Sequence, residues 1–150
     1  MENKVKRIRP ESTVIRGDLC RRINLNYARL ESKHYRPEHI FSADQSGWPG
    51  DWEGRTILAL VKLKTVTGRE PAYLKQILEL LPQKLNNKGY LGPVYEENPV
   101  TRIPIFNEQQ LSGHNWLLRG LLEYYLISED DAFKNIAIHI IQNLYLPLTG

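Results

Sequence analysis

Side chains of the kinds that bind sugars are concentrated between residues 107 and 116. This stretch carries the carboxylate of Glu108, several amides including that of Gln109, the imidazole of His114 and the indole of Trp116. Such groups hydrogen-bond hydroxyls, and an indole offers a flat apolar face for stacking. The same residue types also suit the start of a helix, where polar side chains cap backbone amides. Both interpretations remain open from residue types alone.

A second group of candidate residues precedes the most apolar helical pattern of the chain. The segment 46–55 is rich in turn-forming residues and contains Asp51 and Trp52. Asp51 offers a carboxylate to a ligand, although it equally suits the N-cap of the following helix. Trp48, Trp52 and Trp116 offer rings for stacking on a sugar, although buried packing is the commoner use of tryptophan.

Carboxylates decide whether the chain could have glycosidase chemistry of its own. Hydrolysis of a glycosidic bond usually takes two carboxyl groups roughly 5 to 9.5 Å apart, and a sequence does not give that separation. Glu108 equally suits a helix start, where the dipole favours negative charge. For Glu96 and Glu97, solvation of a loop is the commoner role. The carboxylates available are those of Asp44, Asp51, Glu53, Glu96, Glu97 and Glu108.

Size and composition indicate one domain with a core. The chain has 150 residues, of which 41% are hydrophobic, and a formal net charge of +3. The basic residues do not form one patch, so we expect no nucleic-acid partner. A single cysteine, Cys20, excludes an intrachain disulfide and a multi-cysteine metal site. With no secretory signal pattern and no run of ~18 apolar residues, we expect no membrane association and a cytoplasmic location.

Hydrophobic periodicity predicts an all-α fold. A flexible lead is expected over 1–16 and a single domain over 17–150. Within that domain Thr67 with Glu70, and Ser128 with Asp131, have the spacing of capping boxes. Residues 34–46 suit a short helix or loop, and residues 90–104 suit a long loop, a kind of segment that is often functional. Helical patterns cover 17–32, about 57–66, 72–81, about 108–127 and 132–144.

The second half of the chain repeats the pattern of the first. Ala132 and Phe133 follow Ala72 and Tyr73 by 60 positions, and the apolar positions of the two helices then coincide. Repeated antiparallel helical hairpins bury their faces by stacking on one another, which favours a solenoid or a closed α/α toroid. The alternative is that two amphipathic hairpins align through their shared period alone.

Four motifs together resemble the front part of the β-L-arabinofuranosidase glycoside hydrolases. They are Gly-Asp-Trp-Glu-Gly-Arg at 50–55, Thr-Gly-Arg-Glu-Pro at 67–71, Gly-Tyr-Leu-Gly at 89–92 and Leu-Ser-Gly-His at 111–114. The resemblance runs in order from about residue 17 to residue 150. It implies an (α/α)6 barrel of which this chain is part, with a sugar pocket at the barrel mouth and His114 as the histidine that hydrogen-bonds arabinose hydroxyls.

The same resemblance implies that the family's catalytic groups are not in this chain. In the family, a zinc-held cysteine thiolate is the nucleophile and a glutamate the acid/base, both from the later half of the barrel. Cys20 does not match that position. We therefore expect no catalytic residue, metal ligand or cofactor here, with zinc belonging to the missing half.

The resulting expectation is a segment that contributes substrate-binding residues to a glycoside hydrolase acting on arabinofuranoside-like carbohydrate. The remaining barrel half, or a second copy joined through an exposed apolar face, would be its protein partner. The competing hypothesis is a non-catalytic helical-repeat module that binds protein. The expected substrate-binding residues are His114, Glu108, Gln109, Asp51 and Trp52.

Overall fold

The fold of the described part of the chain is entirely helical, as predicted. The computed structural model describes residues 13–42, 47–94 and 108–148, and these contain helices and connecting turns but no strand. A 3-10 turn precedes α2, and a π turn followed by a 3-10 turn extends α6 to residue 148. The helices are α1 (Gly17–Leu30), α2 (Pro37–Ile40), α3 (Asp51–Thr67), α4 (Ala72–Lys84), α5 (Glu108–Ser128) and α6 (Asp131–Ile140).

The apolar stripe predicted over residues 72–81 forms part of the core. In α4 the buried residues are Leu74, Ile77, Leu78 and Leu81, which recur at the helical spacing i, i+3, i+4, i+7. Helices α3 and α5 bury apolar residues against them, and Ile140 and Leu144 complete the core from the end of the chain. The described residues therefore share one core rather than two.

Glycines let α3 and α5 approach backbone to backbone. A Cβ placed on Gly54 would lie 2.1 Å from the amide nitrogen of Leu117, and one on Gly120 would lie 2.8 Å from the carbonyl oxygen of Gly54. Near the start of both helices, Gly50 meets Gly113 in the same way. Because these contacts advance in the same direction along both helices, α3 and α5 run parallel.

Helices α5 and α6 form an antiparallel hairpin. Near the turn Tyr124 packs edge-on against Phe133, with ring centroids 5.0 Å apart. At the open end the hydroxyl of Tyr145 donates to the carbonyl oxygen of Leu111 at 2.6 Å. The contacts therefore reverse order between the two helices, as a hairpin requires. Helices α3 and α5 are the first helices of the two predicted hairpins. Their parallel packing is the arrangement expected of stacked hairpins.

Both predicted capping boxes are wrong, because the adjoining helices extend further than expected. Thr67 is the last residue of α3, and its hydroxyl donates to the carbonyl oxygen of Leu63 at 2.6 Å. The first turn of α4 is capped from a distance instead, since Glu31 accepts the N–H of Ala72 at 2.7 Å.

At the second hairpin turn the predicted cap residue likewise belongs to the preceding helix. Ser128 ends α5, and the N-cap of α6 is Asp130, which accepts the N–H of Ala132 at 3.0 Å.

Two further expectations are only partly covered by the described residues. The proposed flexible lead falls mostly on residues 1–12, and the predicted loop beyond residue 94 also lies outside them. Among the described helices, none has the length and apolarity needed to cross a membrane.

Candidate functional site: a tryptophan-lined groove

A groove runs over the start of α3, between α1 and α5. Its larger part is a cavity of about 480 Å³ lined by residues including Tyr35, Trp52 and Trp116. An adjoining cavity of about 380 Å³ is lined by Trp48, Asp51, Trp52 and Arg55. Because Trp52 and Arg55 line both cavities, we treat the two as one surface, the tryptophan groove.

The three tryptophans of the chain all line this groove, although they come from three places. Trp48 lies in the turn before α3 and is 48% exposed. Trp52 lies in the first turn of α3 and packs edge-on against Tyr35, with centroids 6.5 Å apart and an interplanar angle of 89°. Trp116 reaches the groove from α5. Trp52 and Trp116 are less exposed than Trp48. Partly exposed rings at the edge of a cavity offer apolar faces to a ligand.

Arg55 connects the tryptophans to the charged part of the groove. Its guanidinium lies 4.2 Å from the ring centroid of Trp116, within cation–π distance. Its Nε donates to a carboxylate oxygen of Asp51 at 2.9 Å, one helical turn earlier. The guanidinium is thus fixed on two sides while its side chain remains 55% exposed.

A second guanidinium lines the groove from α1. Nη1 of Arg29 donates to the hydroxyl of Tyr35 at 2.8 Å. The groove floor includes Thr56, which is only 2% exposed and whose hydroxyl has no hydrogen-bond partner among the described residues.

His114, the leading predicted sugar contact, lies elsewhere and is fully buried. Its Nε2 accepts the N–H of Leu91 at 3.0 Å, and its Nδ1 lies 2.8 Å from the carbonyl oxygen of Gln110. Both contacts are satisfied only by the neutral tautomer protonated at Nδ1. Burial lowers the pKa of His114 to about 4, against the opposing effect of the Gln110 carbonyl. In this structure neither ring nitrogen is free for a sugar hydroxyl, so the predicted contact is corrected to an internal one.

The remaining predicted residues are divided between the groove and other surfaces. Asp51 and Trp52 line the groove. Glu108 is exposed at the start of α5, and Gln109 is exposed beside Gly47. Asp51 is the first residue of α3 rather than its N-cap, which is Gly50. The structure therefore brings together two of the five predicted residues.

Glu53 is the buried carboxyl group of this region. Its side chain accepts the N–H of Gly50 at 3.0 Å and so closes the first turn of α3. Burial is the main cause that raises its pKa to about 7, partly offset by backbone hydrogen bonds. Its contact with the backbone indicates a structural role. Asp44, Glu96 and Glu97 lie outside the described residues.

Sequence reasoning assigned no role to Arg55, Arg29, Tyr35 or Thr56. One signal was available, since Trp52 and Arg55 are three apart and share a helix face. Tyr35 and Arg29 come from another element, and no local spacing connects them to α3.

Comparisons with known proteins leave the chain without a match: none was found among protein-family models, curated proteins or solved structures. Within the described ranges, no three histidine, cysteine, aspartate or glutamate side chains come together at metal-binding distances.

Proposed function

We propose that the chain is a carbohydrate-binding segment of an α/α-toroid glycoside hydrolase of the β-L-arabinofuranosidase type. In this proposal it contributes a wall of the substrate pocket, and the catalytic cysteine, glutamate and zinc belong to another part of the barrel. The observation that supports it best is the convergence of all three tryptophans on one groove.

The position of the groove changes which residues are proposed to contact the sugar. Trp48, Trp52 and Trp116 would stack on sugar rings, and Asp51 would accept hydrogen bonds from hydroxyls. His114 has the supporting role of holding the segment around Leu91 against α5. The parallel packing of α3 and α5 supports a toroid, in which the first helices of successive hairpins run side by side. We place the protein in the cytoplasm, with its lone cysteine as support.

Intrinsic fluorescence tests the proposal, because every tryptophan of the chain lies at the groove. Titration with a β-L-arabinofuranosyl disaccharide should change the emission saturably at millimolar concentration. Trp48→Ala should weaken binding about threefold to tenfold, since a stacked ring contributes on the order of 1 kcal/mol. Leu126→Ala, an exposed position at the far end of α5, serves as the matched control. A folded protein whose emission does not respond to millimolar sugar would exclude this function.

A second candidate function, binding of a protein through a helical-repeat face, is favoured by a different observation. The α5–α6 hairpin exposes several large apolar side chains along its length, whose exposed fractions are 40% or more. They are Leu122, Leu126, Ile127, Ile138 and Ile141. Exposed apolar groups of this kind mark protein interfaces when they are contiguous. A Leu126→Lys variant that loses binding of a partner but keeps the sugar response would support this second function.

A further inference from the structure

Charge in the tryptophan groove is unequally distributed. Among the residues that the structure describes, the ionisable side chains that line it, apart from tyrosine, are Arg29, Arg55 and Asp51. Two positive charges therefore face one negative charge. Since Asp51 is already paired with Nε of Arg55, the net charge offered to a ligand is positive, which a neutral sugar does not need.

Both guanidiniums are also held in place before any ligand arrives. Arg55 is fixed by the indole of Trp116 and by Asp51, and Arg29 by the hydroxyl of Tyr35. A guanidinium is planar and presents paired N–H groups that match the two oxygens of a carboxylate. Fixing it beforehand lowers the entropy lost when a ligand binds.

Thr56 also lines the groove but does not offer its hydroxyl to a ligand. The residue is 2% exposed, and its hydroxyl oxygen is buried away from the surface. The groups that a ligand can reach are the aromatic walls and the two fixed guanidiniums, and together they fit a sugar ring that carries a negative charge.

We infer that the groove binds an acidic carbohydrate, in which a uronic acid residue places its carboxylate against Arg55 and Arg29 while the indoles contact the sugar ring. The inference rests on the proposed function, since it takes the groove to be a sugar site, and it adds to the sugar a residue that carries a carboxylate. An acidic peptide would share the carboxylate but not the hydroxyl-bearing ring, and it enters the test as a competing ligand.

A matched pair of ligands isolates the carboxylate. Trigalacturonate and its fully methyl-esterified form have the same rings and differ in charge. At low salt we expect the wild-type protein to bind the acid about tenfold more tightly than the ester, measured by tryptophan emission. Arg55→Gln should reduce this preference to about twofold or less, and Arg29→Gln should reduce it partly. Arg55→Lys, which keeps the charge but not the paired N–H groups, should be intermediate.

Arg22→Gln is the control, because Arg22 is exposed on α1 and pairs with Asp18 outside the groove. Circular dichroism shows that each variant is folded. Equal binding of acid and ester would overturn the inference and leave the proposed function standing. Absence of binding to these ligands and to the arabinofuranosyl disaccharide would overturn both. Binding of triglutamate as tight as that of trigalacturonate would overturn the assignment of a carbohydrate.

Discussion

The two sides of the first half of α5 carry similar residue types but have opposite surroundings. His114 and Trp116 are two positions apart, so they point about 200° apart around the helix. On one side, His114 is fully buried and both ring nitrogens have backbone partners. On the other, Trp116 lines an open groove beside the exposed guanidinium of Arg55.

The difference shows that residue type is a poor guide to ligand contact when partners are unknown. A buried polar group needs hydrogen bonds because desolvation without them costs several kcal/mol. The ring of His114 meets that need internally, and so its two nitrogens have nothing to offer a ligand. The groove side keeps guanidinium edges and indole faces available. Substitutions in α3 and α5 test whether the two sides are separate in their contributions to stability and to ligand binding.

The largest effect is expected from Gly54→Ala, because both sides depend on the close approach of α3 and α5. The added Cβ would lie 2.1 Å from the amide nitrogen of Leu117, and backbone cannot move aside as a flexible side chain can. Alanine gains about 1 kcal/mol in helix propensity over glycine. The overlap should exceed that gain, with a net loss of at least about 3 kcal/mol in the free energy of unfolding. Urea unfolding measures it.

Two further substitutions calibrate the Gly54→Ala result. Gly120→Ala should cost less, because the nearest backbone atom is 2.8 Å from its Cβ. Arg119→Ala, at an exposed position of the same helix, should change stability by no more than about 0.5 kcal/mol. If Gly54→Ala were as stable as the wild type, the backbone contact would not exist and the two sides of α5 would have to be reassigned.

The next effect is expected from His114→Ala, which separates the two sides directly. It leaves the Leu91 N–H without its acceptor and opens a cavity where the ring packed edge-on to Tyr90. We expect a loss of about 3 kcal/mol in unfolding free energy. Sugar affinity at the groove should stay within about twofold of the wild type, since the ring does not line it.

An exposed histidine provides the control, and His139→Ala should leave stability nearly unchanged. A variant that stays fully stable but no longer binds sugar would reverse the comparison, because His114 would then act as a ligand contact after all.

Much of the fold follows from the sequence, because helices are governed by local periodicity. The pattern over 108–127 predicts α5 within one residue, and the stripe of Leu74, Ile77, Leu78 and Leu81 is the buried face of α4. Helix ends were less accurate, since Glu31 caps α4 from 41 positions away.

The site was less predictable, because its members come from separate elements. The partner of His114 is a backbone N–H of another segment. The guanidinium of Arg55 meets Trp116 only because α3 and α5 pack side by side. In the sequence, the signal available for this close packing was the presence of Gly54, Gly113 and Gly120 within the helices. Glycine inside a helix is unfavourable unless backbones approach closely.

A pH-dependent effect of similar size to that of His114→Ala is expected from the buried carboxyl of Glu53, close to the contact between Gly50 and His114. Its folded-state pKa of about 7 lies above the ordinary value of 4.5. The folded protein therefore holds a proton that the unfolded chain releases, and this stabilisation is complete below about pH 4.5 and lost as pH rises to about 7. For His114 the sign is opposite, because its pKa falls from 6.5 to about 4, so its contribution is lost as pH drops through that range.

In the wild-type protein, the pH dependences of stability contributed by Glu53 and by His114 have opposite signs. Glu53→Gln removes only the contribution of Glu53. Glutamine can still accept the Gly50 N–H. The unfolding free energy of the variant minus that of the wild type should rise by about 3 kcal/mol between pH 4.5 and pH 7. Glu79→Gln, at an exposed position paired with Lys75, should show little such change. Parallel stability curves for Glu53→Gln and the wild type would mean that Glu53 is solvated in the folded protein.

The smallest effect is expected from Lys62→Gln, which tests whether the groove depends on the far end of the α3–α5 contact. Nζ of Lys62 lies 2.5 Å from a carboxylate oxygen of Glu123, and the two side chains are 46% and 27% exposed. A solvated ion pair of this kind contributes about 1 kcal/mol or less, because water screens the attraction and ordering two long side chains costs entropy. The loss should shrink further in about 1 M salt, where the Debye length is near 3 Å. Sugar affinity should not change. A loss above about 2 kcal/mol in unfolding free energy, or a lower sugar affinity, would show that this ion pair, rather than the glycines, determines how α3 and α5 pack. The separation between the two sides of α5 would then depend on a surface charge.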